Sequence, residues 1–302
     1  MVQKMKITAV VVTYNRIEKL KKVIEAIRGQ STSLFQIIVV NNSSTDGTRE
    51  WLENQSDITL VNQGNLGGAG GFNTGMKQAV LNGADFVWVM DDDVYPEKDA
   101  VHYLYNGLFP RTELGFACST VVDPKGNMVN TPDISSKLNE ASYKEWHKEL
   151  SKGLVYLDAC TFVSVLFSKD VIFEVGLPIK EYFIWGDDTE YTLRLSRKYQ
   201  KPGLLVANSR VIHDRVFSAS PSLLTERDRN RLNMYFYMIR NHVHISKVYR
   251  KGFLRDGLRL FLQLSFGIFT SNDKKLARAF ILIRAFFASI FFNPTIERIN
   301  KI

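Results

Sequence analysis

"DFVWVMDDDVYP", residues 85–96, joins a run of large apolar residues directly to three aspartates. The run from Phe86 to Met90 has the length and composition of a strand buried on both faces, as in a parallel sheet. Adjacent carboxylates repel one another and favour water. A strand that delivers three of them implies either a solvated strand end or a bound cation. Alternate residues of an extended segment point the same way. On that spacing Asp91 and Asp93 face one ligand, and Asp92 faces away toward backbone or substrate. Two hard oxygen donors on one side suit Mg²⁺ or Mn²⁺ beside a diphosphate.

Working outward, the pattern repeats. "KITAVVVT" (6–13), "QIIVV" (36–40) and "ITLV" (58–61) are strand-length apolar runs. Leu20, Val23, Ile24 and Ile27 follow the first at helical spacing, ending at Gly29. A short helix through Trp51 and Leu52 follows the second. The stretch "NQGNLGGAGGFNTGM" reads as a glycine-rich loop opening onto a helix at about 73–82. Strands alternating with helices imply right-handed crossovers and a mostly parallel α/β sheet. Ligands of such sheets sit outside the carboxyl ends of the strands. "TYNR", "NNSSTDGT", the glycine stretch and "DDD" therefore converge on one edge. Further on, 157–167 reads as one strand, "KDVIFEVG" as a short helix, 183–199 as a loop becoming helical, and 203–214 as another strand. From about residue 226 the chain is helical, basic and aromatic.

Each polar cluster carries a chemical reading. The glycines would let backbone approach a ligand, but neither a dinucleotide fingerprint after the first strand nor a P-loop Lys-Ser/Thr is present. "WGDDTEYTLR" (185–194) puts acids in a first helical turn, where they complement the helix dipole. Trp185 beside them would line a sugar-sized pocket and desolvate a carboxylate toward general-base use. His213 ends a strand-like run; if that strand returns to the "DDD" edge, its neutral imidazole is a third metal ligand.

Taken in this order, the clusters resemble a family 2 glycosyltransferase of the GT-A fold over about residues 6–215. "VVVTYNR", "VVNNSSTDGT", "NLGGAGGFNTGM", "WVMDDDVYP" and "WGDDTEYTLR" resemble its nucleotide-binding turns, donor loop, metal motif and base motif. The resemblance implies a GT-A nucleotide-diphospho-sugar transferase domain over 1–222 and an inverting, metal-dependent transfer. It implies Asp91, Asp93 and His213 as ligands of Mn²⁺ or Mg²⁺, Asp188 as the base and Asp187 as second choice. Thr13, Tyr14, Arg16, Asn41, Asn42, Asn65, Gly68, Gly71, Asn73, Asp92, Trp185 and Glu190 would contact substrate, while Asp46 caps the following helix. The family usually has Asp-Asn where this chain has Asn41-Asn42, which leaves the nucleobase open. "GGAGGF", the triple aspartate and the later histidine are most similar to bacterial galactofuranosyltransferases. The implied donor is UDP-galactofuranose, with dTDP-rhamnose and a rhamnosyltransferase as the alternative. The implied acceptor is a lipid-linked glycan in surface polysaccharide synthesis.

Charge sets the remaining expectations. The net charge is +8, yet residues 1–222 hold 24 basic and 26 acidic side chains. Residues 223–302 hold 15 basic and 5 acidic ones. Such asymmetry points to an anionic partner. No nucleic-acid motif accompanies it, so a nucleic-acid partner is not expected. "KKLARAFILIRAFFASIFF" (274–292) is too interrupted for the ~20 apolar residues of a spanning helix. It reads either as a helix on an anionic inner-leaflet surface or as a helical hairpin packed on the catalytic domain or on a second subunit of a homo-oligomer. Two cysteines, Cys118 and Cys160, without metal-like spacing, and no signal-peptide pattern, suggest a cytoplasmic setting. Two other classes compete: a non-catalytic sugar-nucleotide-binding subunit, which would not need the acidic pair, and a nucleotidyltransferase, which would need a basic triphosphate loop after the first strand.

Overall fold

β-Branched residues make strand β1 (Ile7–Thr13), and all seven of its residues are buried. Ala9 and Val11 face one core and Val10 and Val12 the other, so this strand lies at the centre of a three-layer structure. The computed structural model describes residues 5–215, 221–249, 253–271 and 273–300. β2 (Gln36–Asn41), β3 (Ile58–Asn62) and β4 (Phe86–Asp91) complete a parallel block in the order β3-β2-β1-β4. Helices α1 (Ile17–Arg28), α2 (Thr48–Glu53) and α3 (Gly67–Leu81) make its crossovers.

Beyond β4 the sheet is mixed, which modifies the mostly parallel expectation. β9 (Val165–Ser168) runs antiparallel between β4 and β6 (Phe116–Val122). β10 (Gly203–His213) then lies parallel to β6 and antiparallel to β8 (Leu154–Ala159), with β7 (Asp133–Ile134) outside. β5 (Val94–Pro96) pairs with the end of β10, setting His213 opposite Val94. Helices α4 (Ala100–Leu108), α5 (Lys169–Val175) and α6 (Asp187–Leu193) cover the faces. The single strand expected over 157–167 is thus two strands, β8 and β9, separated in the sheet by β10 and β6. A continuous apolar run does not encode where the chain leaves one strand for another.

The glycine stretch departs further from expectation: it is helix from Gly67 onward. Two of its glycines, Gly71 and Gly75, face the sheet. A Cβ on Gly71 would meet Val12 Cγ1 at 2.3 Å, and one on Gly75 would meet Val10 Cγ1 at 2.4 Å. Bare backbone at this spacing lets α3 lie close against β1, and that packing outweighs glycine's poor helix propensity.

After β10 come α7 (Arg229–Tyr249), α8 (Phe253–Thr270) and α9 (Lys275–Phe291). Leu232, Tyr235, Ile268, Ile281 and Leu282 form their shared core. The chain then returns to the sheet. Leu177 N donates to Glu297 O at 2.9 Å, Lys77 pairs with Glu297 at 2.7 Å, and Ile299 joins the α3-side core. The border expected at 222/223 therefore separates two segments that pack on each other.

Gly75→Ala is expected to lower unfolding free energy by about 2 kcal/mol through overpacking against Val10. Urea denaturation measures this, and Gly83→Ala, where nothing lies within 4 Å of the added methyl but φ is +91°, reports the separate backbone cost.

Candidate active site

β1, β2, β3 and β4 are parallel, and β10 shares their direction through β9 and β6. Thr13, Asn41, Asp91 and His213, at or beside the strand ends, consequently stand on one edge. The expected return of His213 to the "DDD" segment is present. Asp91, Asp93 and His213 each offer one ligand atom, and all these atoms lie within 4.8 Å of one another.

His213 Nε2 is 3.1 Å from Asp93 Oδ1, and Nδ1 is 2.9 Å from Asn130 Oδ1. The Asn130 amide nitrogen donates to Thr161 Oγ1 at 3.3 Å, which turns its oxygen toward the ring. Nδ1 therefore carries a proton, the tautomer following from this network. Nε2 is left to meet Asp93 either as a second N–H or across a cation. Burial drives the Asp91 carboxyl well above its ordinary range, and the charges of Asp93 and Asp92 add to the shift. Burial would raise Asp93 too, but the bond to His213 and the charges of His213 and Arg16 hold it below its ordinary value. Two carboxylates and an imidazole, with one acid costly to ionise, fit a divalent ion of the Mn²⁺ type.

Asp92 has a different environment. Its Oδ2 accepts from Thr13 Oγ1 at 2.9 Å and Tyr14 N at 3.3 Å, and its Oδ1 accepts from Arg16 Nη1 at 3.1 Å. Arg16 Nη1 also reaches Asp93 Oδ2 at 2.9 Å. The chain turns at 92–93, so the division among the aspartates comes from a turn and not from strand alternation. The Asp92 carboxylate closes the β1 and β4 ends together.

The second acidic motif is reached through a strained loop. Phe183 (φ 64°), Trp185 (φ 60°) and Gly186 (φ 95°) are all left-handed. A fully buried asparagine from α7 holds this loop. Asn241 Nδ2 donates to Tyr182 O at 3.0 Å, Ile184 O at 3.2 Å and Trp185 O at 2.8 Å. Its Oδ1 accepts from the Arg240 guanidinium at 2.8 and 3.1 Å. The Trp185 ring packs on Tyr235, centroids 5.0 Å apart. Asp187, at the start of α6, is buried, which pushes its carboxyl well up, helped by Asp188. Asp188 is half-buried, and desolvation raises it as well, although Oδ1 accepts from Thr189 N at 2.6 Å. The Asp188 charge adds, as the smallest contribution, to the upward shift of Asp91, so the two acidic motifs lie within electrostatic reach of each other.

Other expected substrate contacts are committed within the protein. Asn41 donates to Asn62 Oδ1 at 2.9 Å and accepts from Ser44 N at 3.0 Å. Asn42 donates to Gly67 O at 3.1 Å and accepts from Gln63 Nε2 at 2.7 Å. Asn73 donates to Pro178 O at 2.8 Å, and Asn65 Oδ1 accepts from Gly67 N at 3.0 Å. Gly71 packs on Val12. These amides knit the strand-end turns, because each buried donor and acceptor needs a partner. Tyr14 is exposed, and a Cβ added at Gly68 would meet nothing within 4 Å, so this side of the edge stays open. The N-cap of α2 is Gly47; Asp46, one residue earlier, accepts from Thr48 N at 3.3 Å and from Ile17 N of α1 at 3.0 Å. Asn130 and Asn241 are not legible as site residues in the sequence: single asparagines far from any motif give no signal until the fold brings them in.

Glu190 is enclosed in the protein interior. It is 2% exposed, its oxygens are bound by the Arg194 guanidinium, and the Tyr249 hydroxyl donates to it at 2.6 Å.

Residues 8–168 match the family described as Glycosyl transferase family 2. Galactofuranosyltransferase GlfT1 of Mycolicibacterium smegmatis is 31% identical over 205 residues, covering 63% of this chain and 65% of that protein. The chain thus spans just under two thirds of the length of that curated relative. Among solved structures, GalNAc-T7 with UDP, GalNAc and Mn²⁺ superposes with a TM-score of 0.60 at 12% identity, covering 89% of this chain and 51% of the other. The mannosyltransferase PcManGT from Pyrobaculum calidifontis, in complex with GDP-Man and Mn²⁺, gives 0.55 at 18% identity, covering 96% and 75%. These likenesses show the fold expected of a GT-A enzyme.

Glu190→Ala is expected to cost about 3–5 kcal/mol of stability by stranding buried Arg194. The paired change Glu190→Gln with Arg194→Met should recover much of it in urea titrations.

Proposed function

This chain belongs to glycosyl transferase family 2, and from that premise we propose that it moves a sugar, with inversion, from a nucleotide-diphosphate donor to an acceptor hydroxyl. The observation that carries the reading is the meeting of Asp91, Asp93 and His213 at one sheet edge, with the Asp188 charge within electrostatic reach of Asp91. Asp91, Asp93 and His213 would hold a divalent cation, Mn²⁺ or Mg²⁺, whose charge stabilises the leaving diphosphate.

The chain's own groups divide the rest. Asp188 takes the proton of the acceptor hydroxyl. The hydroxyl oxygen forms a bond to the anomeric carbon as the bond from that carbon to the diphosphate oxygen breaks on the opposite side. The nucleoside diphosphate leaves with the electron pair. Asp187 is too enclosed to be the first choice for this role. Thr13, Tyr14 and Arg16 border the nucleotide, and the Arg16 guanidinium, already paired with carboxylates, is suited to exchange toward phosphate oxygens. Trp185 offers a ring face to the acceptor.

The relative named as a galactofuranosyltransferase supports UDP-galactofuranose as donor. Asn41, engaged with Asn62 and Ser44, supplies no carboxylate to a nucleobase, which keeps dTDP-rhamnose as the second reading. The acceptor on this reading is a lipid-linked glycan of a surface polysaccharide at the inner face of the cell membrane.

A thermal-shift screen with Mn²⁺ is expected to show stabilisation by UDP-galactofuranose and not by dTDP-rhamnose, UDP-glucose or UDP-galactose. Stabilisation by dTDP-rhamnose alone would transfer the assignment to the second reading. Asp91→Ala and Asp93→Ala should each abolish metal-dependent donor binding; turnover by both variants in EDTA would sink the metal assignment. Asp188→Asn should keep donor binding while transfer falls by about 10²–10⁴-fold. A base works only when ionised, and burial disfavours ionisation of Asp188. The acid limb of kcat against pH should therefore lie above the ordinary aspartate range.

A further inference from the structure

Helices α8 and α9 pack on each other and on α7, yet each leaves an apolar stripe uncovered. On α8, Leu258, Leu262 and Phe266 repeat at i, i+4 and i+8; on α9, Phe280, Ile283 and Phe287 repeat at i, i+3 and i+7. These six side chains are between 47% and 71% exposed. Helical side chains at these spacings share one face. Contiguous exposed apolar surface of this kind marks a site of contact. No helix among the described residues is long and apolar enough to cross a membrane.

Charge identifies what covers the stripe. Residues 253–291 contain six Lys/Arg and two Asp/Glu. Both acids are paired within the hairpin, Asp256 with Arg255 at 3.5 Å and Asp273 with Arg278 at 2.7 Å. Arg259, Lys274, Lys275 and Arg284 carry the surplus, and all four are exposed. Arg259 follows Leu258 and lies three residues before Leu262; Arg284 stands in the same relation to Ile283 and Phe287. Each stripe is thus bordered by a base at the same register. Two copies meeting through this face would bring like charges together, which disfavours a symmetric pair. An anionic bilayer offers acyl chains to the stripe and phosphates to the border.

We propose that the α8–α9 hairpin is a docking surface for anionic lipid, lying in the plane of the bilayer with Phe266, Phe280 and Phe287 inserted. The inward sides of the same helices supply Ile268, Ile281 and Leu282 to the cluster against which Trp185 packs. Docking therefore sets the loop leading to Asp187 and Asp188 one helix layer above the lipid. On the transfer reading, an acceptor tethered to that lipid would reach the site without leaving the surface.

The test uses the full chain with vesicles of phosphatidylglycerol and phosphatidylcholine in equal parts, against phosphatidylcholine alone, in flotation gradients. Wild type should float with the anionic vesicles and be released by salt. Phe266→Ser/Phe280→Ser/Phe287→Ser should abolish flotation, with circular dichroism confirming the fold. Arg259→Gln/Lys274→Gln/Lys275→Gln should weaken partitioning by roughly fivefold per base, on the order of a hundredfold in total. The charge variant keeps the test decisive if the serine variant does not fold. Equal binding to both vesicles, unaltered by the charge variant, would overturn the anionic-surface assignment. Failure to bind, with self-association in sedimentation equilibrium that the serine variant loses, would make the face an interface between copies. Flotation is read without donor or acceptor, so its failure leaves the transfer reading intact.

Discussion

The constraint on which the structure turns is mutual repulsion among carboxylates brought to one sheet edge. Asp91, Asp92, Asp93, Asp187 and Asp188 are each buried or half-buried. No hydrophobic term holds such a set together, and burial disfavours ionising Asp91, Asp92, Asp187 and Asp188, while its partners hold Asp93 below its ordinary value. The offsets are specific. Arg16 bridges Asp92 and Asp93, His213 faces Asp93, and Thr13 with the Tyr14 backbone takes the far oxygen of Asp92. Among the described residues no side-chain hydrogen bond to the Asp91 carboxyl is present, and burial together with the neighbouring negative charges holds it well above its ordinary range. The α/β scaffold serves this edge: parallel strands deliver their carboxyl ends together, and the apolar faces of β1 and β4 keep those ends from spreading.

How much of this is legible in the sequence varies with the kind of signal. Buried parallel strands announce themselves by unbroken β-branched runs, so β1 to β4 and their common edge follow directly. The convergence of His213 on Asp93 follows as well, because strand direction is inherited through a sheet. The split of 157–167 into β8 and β9 does not, since apolar periodicity has no mark for a strand exchange. The glycines of α3 depart from a loop reading for a physical reason. Glycine signals either backbone freedom or close approach, and composition alone does not separate the two. Only the 2.3 Å and 2.4 Å approaches to Val12 and Val10 show that close approach applies at Gly71 and Gly75. Residue type likewise does not reveal the internal hydrogen bonds that Asn41, Asn42, Asn73 and Glu190 make. A polar side chain near a ligand edge is as readily claimed by neighbouring backbone or by a buried arginine as by substrate.

The helical region gains its importance from what it touches. α7 presents Asn241 to the loop before α6, and the ring of Trp185 sits against Tyr235. Stability of the strained loop is thus supplied by a segment more than fifty residues later. A buried, fully satisfied polar contact of this kind specifies one arrangement over its near neighbours, because any shifted loop would leave the amide or the carbonyls unpaired.

That single amide has an evolutionary consequence. The basic helices look like an interchangeable appendage, the sort of module that recombination could trade for another targeting device. They are not freely tradable here. A replacement segment would have to bring an amide to the same spot, aimed at three carbonyls, or the acidic pair would lose its footing. Variation in this helical region is therefore tied to variation in how the loop before α6 is held. The helices are freer to change on their outward faces, and the inward face of α7 is bound to the chemistry.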